Sequence, residues 1–75
     1  MSYIPKPNPC FLDGLQKFRV INGRQVYKGK DKCYSWDELH GEIEVFDSRG
    51  RHLMVLDSLG ENIIKEAVRG RRIDV

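Results

Sequence analysis

The pair Asn22-Gly23 constrains the fold of this chain more than any other feature. It stands between two alternating runs, "LQKFRVI" and "RQVYKG". Both central residues of a two-residue hairpin loop need positive φ, which asparagine and glycine adopt at least cost. A chain that turns this way comes back as its own antiparallel neighbour, and the spacing predicts strands over 16–21 and 24–28. "KGKD" (28–31) makes a second turn and "KCYSW" a third strand. "EIEVFD" (42–47) alternates strictly, with Glu42, Glu44 and Phe46 on one face and Ile43, Val45 and Asp47 on the other. "DSRG" turns the chain, "RHLMVLD" (51–57) returns beside it, "SLGE" turns again, and "RRIDV" reads as a last short strand.

Helical signals are few. "FLDGLQ" accommodates a helical turn. "SWDE" has the form of a capping box, with Ser35 as cap, Glu38 returning the bond and Gly41 ending the turn. "NIIKEAVRG" is ambiguous: Ile63, Ile64, Ala67 and Val68 fit a helical stripe, but the run is short enough to be irregular. The expected fold is mainly β, α+β at most. It is a small, highly twisted antiparallel sheet of five or six strands with one or two short helical turns. "IPKPNPC" reads as a proline-rich arm, so 1–14 is expected to be an arm or linker and 15–75 the domain.

Size limits what such a domain can do. A chain of 75 residues makes one domain and buries only about 60% of its unfolded surface. The core is thin, and a site is expected on an open face that suits a large substrate. No apolar run approaches the roughly 20 residues that span a bilayer, and "MSYIPKPNPC" carries no hydrophobic signal run. Cys10 and Cys33 fit no zinc spacing and are expected to be free.

Net charge is only +2, but it is unevenly distributed. Residues 1–33 carry seven basic against two acidic side chains, 34–66 three against eight, and 67–75 three against one. The basic ends attract phosphate backbones. A protein that only held nucleic acid would gain nothing from the acidic middle between them.

That middle contains "YSWDELHGEIE" (34–44), with Tyr34, Asp37, Glu38, His40, Glu42 and Glu44 around Gly41. Three readings compete: a solvated acidic edge, a metal site, or an acid–base centre. Asp, His and Glu ligands are at hand for a metal, but no second histidine or recognised ligand spacing accompanies them. RNA carries its own nucleophile, the 2′-hydroxyl. Cutting it without metal needs a base, an acid for the leaving 5′-oxygen, and a cation for the phosphorane. A carboxylate, a histidine and an arginine from Arg69, Arg71 and Arg72 would serve. Spacing alone favours Glu42 as much as Glu44. A histidine elsewhere is more often a surface residue, and His52 in "GRHLM" is read that way.

The pattern Tyr34, Trp36, Asp37, His40, Gly41, Glu42, Ile43, Glu44 resembles the catalytic motif of the ribosome-inactivating colicins, with cloacin and related bacterial ribonuclease toxins. The likeness continues through "SRGRHLMVLDSLGE" and weakly to Arg71, Arg72 and Ile73, covering roughly 24–75. It implies a metal- and cofactor-independent endoribonuclease that cuts small-subunit ribosomal RNA in the decoding centre. Such a toxin is released or delivered by its producer and acts in the cytoplasm of a target bacterium. By position it implies Asp37, His40, Glu44 and Arg71 as catalytic residues. Glu44 would be the base and His40 the acid, Asp37 would orient or charge-stabilise His40, and Arg71 would neutralise the phosphorane, with Arg69 and Arg72 as rivals to Arg71. Tyr34, Glu42, Lys28, Lys30, Lys32, Arg69 and Arg72 are expected to bind substrate. The implied partners are the ribosome and its RNA and an acidic immunity protein, with neither membrane nor DNA. Two other readings remain: an RNA-binding module stacking bases on Tyr34, Trp36 and Phe46, and a small antidote protein.

Overall fold

The computed structural model describes residues 4–7, 10–67 and 70–73. Six strands form one antiparallel sheet in chain order: β1 (Gln16–Ile21), β2 (Arg24–Lys28), β3 (Lys32–Asp37), β4 (Glu42–Asp47), β5 (His52–Leu56) and β6 (Ile63–Glu66). This is the mainly β meander the turn signals predict. Asn22 and Gly23 take φ of 53° and 79° and close the first hairpin with Ile21 opposite Arg24.

The helical expectations divide. A 3-10 turn forms at Phe11–Gly14, where the Cys10 amide donates to the Asp13 carboxylate at 2.8 Å. The turn expected at "SWDE" does not form. Ser35 lies inside β3, buried, opposite Glu44. The residue that organises the following turn is Asp37, whose Oδ1 accepts the Leu39 and His40 amides at 3.0 and 3.3 Å. The "S-x-x-E" pattern was thus two residues out of phase with the side chain that caps. Ile63–Glu66 is an exposed strand rather than a helical stripe, because pairing with β5 satisfies its backbone. The last segment does not extend into a strand among the described residues. It makes a bridge of Arg72 to Arg51, flanked by the His52 amide donating to the Arg71 carbonyl and the Ile73 amide to the Gly50 carbonyl.

The register sorts side chains onto two faces, because residues directly opposite in an antiparallel pair point the same way. Tyr27, Tyr34, Ile43 and Val45 share one face, and Cys10 and Leu12 close over it with Phe11 and Leu15. Leu12, in the 3-10 turn, is fully buried there. Val26, Cys33 and Phe46 lie on the other face, covered by Ile21 and Ile73. Both faces of β4 are covered, so its alternation marks two environments rather than inside and outside. Each large apolar side chain so buried contributes about 1.5–3 kcal/mol. Cys10 and Cys33 are free and sit in different core clusters.

His52 is buried, at 5% exposed, with its ring 5.4 Å from that of Phe46 in an edge-on contact. The expectation of a surface histidine is overturned. His52 opens β5 and lies beside the returning C-terminal segment, its amide bonded to the Arg71 carbonyl, a contact that local sequence does not record.

Candidate active site

On the second face the register stacks two short rows. Arg24 is level with Asp37 across β2 and β3, and Asp37 is opposite Glu42. Ser35 is opposite Glu44, and Glu44 is opposite Val55. Charged groups from β2, β3 and β4 thus converge where the C-terminal segment crosses.

Glu44 lies at the centre, 2% exposed. Its Oε2 accepts from Arg24 Nη1 at 3.1 Å, and its Oε1 pairs with Arg71 Nη2. Both of its oxygens are thus engaged by guanidinium groups from two different segments of the chain. Arg24 also reaches Asp37 Oδ1 at 3.7 Å, linking Glu44 to a second buried carboxylate. A cleft of about 320 Å³ opens above, lined by Arg24, Ser35, Glu44, Phe46, Arg71 and Arg72 among others. It is wide enough for a phosphate with part of a ribose, and three arginines, Arg24, Arg71 and Arg72, line it.

Asp37 and His40 form the second half. Asp37 Oδ2 lies 2.8 Å from His40 Nδ1. Burial works to raise the Asp37 carboxyl. The hydrogen bonds from the His40 ring and from the Leu39 and His40 amides outweigh it and hold the group below the usual carboxylate range. The His40 side chain is 59% exposed, so with Nδ1 engaged its Nε2 faces solvent. The arrangement is an oriented imidazole beside a buried anion, able to give or take a proton at Nε2.

Glu42 is half-buried, paired with Lys65 at 3.6 Å. Ligand atoms of Asp37, His40 and Glu42 lie within 4.8 Å of one another, close enough to hold a cation. A tetrahedral site would take these three plus water.

The other expected residues are distributed differently. Tyr34 lies on the opposite face, its ring edge-on to Phe11 at 5.3 Å, away from the carboxylates. Trp36 faces the same way and donates its indole N–H to the Ile4 carbonyl at 2.8 Å. Phe46 is 1% exposed. Of the three, Phe46 is buried, while Tyr34 and Trp36 are half-buried on the face away from Glu44. Lys28 and Lys30 are exposed and Lys32 half-exposed at the far end of β2 and β3, beside a second hollow lined by Phe18 and Ser48. Arg69 lies outside the described residues.

Arg24 is the site residue that sequence reasoning missed. The signal was present: with Asn22-Gly23 fixing one hairpin and the 28–31 turn the next, counting back places Arg24 level with Asp37. His52 also borders the site. Burial pushes its ring below its ordinary value, Glu44 works the other way, and Arg71 adds to the lowering.

A family model described as Cytotoxic matches residues 7–74. No curated protein matches the chain.

Proposed function

The chain belongs to the Cytotoxic family, a family of toxin domains, and from that premise we propose that it is an endoribonuclease acting by the 2′-hydroxyl route. The observation that carries the reading is the buried carboxylate of Glu44, gripped by Arg24 and Arg71 at a phosphate-sized cleft and linked through Arg24 to the Asp37–His40 pair.

In this mechanism the scissile phosphate competes with Glu44 for the two guanidinium groups. As they turn to the phosphate oxygens, the Glu44 carboxylate is released from its two ion pairs and its oxygens are free to accept a proton. It takes the proton of the 2′-hydroxyl, and the freed oxygen attacks phosphorus. The bond to the 5′-oxygen breaks as His40 delivers a proton to it. The products are a 2′,3′-cyclic phosphate and a 5′-hydroxyl end. Arg24 and Arg71 stabilise the phosphorane charge, and Arg72 widens the positive rim. Asp37 keeps the imidazole turned with Nε2 outward.

The substrate proposed is small-subunit ribosomal RNA in the decoding centre of a target bacterium. Lys28, Lys30 and Lys32 would hold flanking phosphates, and an immunity protein with an acidic face would protect the producer. Support for a large substrate comes from the size of the domain, since a chain of 75 residues has little room to enclose a small molecule. Against the rival RNA-binding reading, Phe46 is buried and the Tyr34 ring stands edge-on to Phe11, with Trp36 half-buried on the same face as Tyr34. One observation favours a second mechanism: the Asp37, His40 and Glu42 atoms gathered within 4.8 Å would suit a divalent cation. Cleavage of ribosomes in the presence of a chelator separates the two. Loss of cutting with chelator, or 5′-phosphate ends, would favour the metal.

A further inference from the structure

The turn that carries His40 is short and held mainly by itself. Asp37 Oδ1 takes the Leu39 and His40 amides, and the Gly41 amide donates to the Asp37 carbonyl at 2.7 Å. The His40 side chain is largely exposed, with Asp37 as its polar partner. Its location therefore follows the backbone of residues 38–41, and an internally bonded turn can still rock as a unit on the sheet end.

From the far side of the chain Ile4 braces that turn. Its amide donates to the Glu38 carbonyl at 2.7 Å, and its own carbonyl accepts the Trp36 indole N–H at 2.8 Å. Its side chain lies flat on Gly41, where an added Cβ would fall 3.0 Å from Ile4 Cδ1. Gly41 has φ of +68°, so the bare Cα serves both the turn and the close approach. Two hydrogen bonds and one apolar contact thus fasten residue 4 to both ends of the loop, at Trp36 and Gly41. Residue 4 lies outside the span of the family match, 7–74, so the brace is not part of what the family pattern records.

We propose that Ile4, held by Trp36, is a positioning residue for His40: the segment read as a linker completes the catalytic turn. It rests on the ribonuclease reading for its catalytic consequence and on no part of it for its structural one. A carrier protein joined upstream would have to leave this segment free to lie across the 38–41 turn.

The test uses Ile4→Ala, Ile4→Val and Trp36→Phe in the full chain, with two readouts. Amide hydrogen exchange followed by NMR should be about tenfold faster at Leu39, His40 and Gly41 in Ile4→Ala and Trp36→Phe, as expected of a locally opening segment, with β4 amides unchanged. On RNA, kcat should fall about 10- to 100-fold, the scale of a misplaced acid, with KM nearly constant and Ile4→Val restoring the rate. Unchanged exchange at the turn would overturn the brace. Faster exchange with wild-type kcat would overturn its positioning role, as would a loss of kcat that simply tracks the melting temperature. If the wild-type chain cuts no RNA, the ribonuclease reading fails, and the exchange result alone decides the brace.

Discussion

Removal of Arg24 probes the site most sharply, because this side chain touches both halves of it. In Arg24→Ala, Glu44 loses one charged hydrogen bond of 3.1 Å and keeps Arg71, while Asp37 loses a longer contact of 3.7 Å and keeps His40. The longer contact is an ion pair without a hydrogen bond and adds less than the shorter one. One charged hydrogen bond contributes about 1.5–3 kcal/mol. Arg24 is 32% exposed, so screening by solvent places the loss in the lower half of that range, at about 2 kcal/mol. For a domain of this size that lowers Tm by about 10 °C. The effect on catalysis is larger, since a cation aimed at the phosphorane is worth about 10²- to 10³-fold in kcat. Arg24→Lys keeps the charge but not the fork and should fall between. Thermal melting and single-turnover cleavage of RNA measure the two effects. A folded Arg24→Ala protein with wild-type kcat would refute the role assigned to this arginine.

Other expectations concern the remaining groups. Glu44→Gln should abolish most cleavage, by about 10²- to 10⁴-fold for a base, while Glu42→Gln should be milder; the reverse order in single-turnover rates would move the base one strand repeat along. His52→Ala should destabilise by about 2–4 kcal/mol, the range for emptying a buried aromatic-sized site, as read by urea unfolding. The His52 ring lies below its ordinary value when folded, so its contribution is complete above about pH 6.5 and is lost as pH falls through the lowered value. His52→Phe should flatten stability against pH in that window. Asp37 is likewise depressed, so its contribution holds above about pH 4 and disappears as pH falls further. Asp37→Asn should remove that acid-side slope and lower kcat.

Much of this structure is legible in the sequence, for reasons that can be stated residue by residue. Asn22-Gly23 dictates a hairpin because positive φ is demanded there, and the strict alternation of 42–47 sets which side chains share a face. What was hidden came from contacts between distant segments. Local pattern could not reveal that Ile73 and the C-terminal bridge cover the face holding Glu44, turning an outward glutamate into a buried one. Nor could it reveal that His52 is roofed by that same return, or that Cys10 and Leu12 close the other face. The capping error at Ser35 has a different origin. Two candidates, Ser35 and Asp37, stand two residues apart, and strand pairing with Glu44 claimed the first. Arg24 was within reach, since hairpin counting puts it level with Asp37, but nothing in its own neighbourhood marks it as a site residue.

The direct test of the ribonuclease reading is to incubate the protein with intact bacterial ribosomes in excess chelator and map the ends of the cut RNA. The result expected is a cut confined to small-subunit RNA that leaves a 2′,3′-cyclic phosphate and a 5′-hydroxyl, absent in Glu44→Gln. Intact RNA under these conditions, with cutting restored by a divalent cation and 5′-phosphate ends, would contradict it.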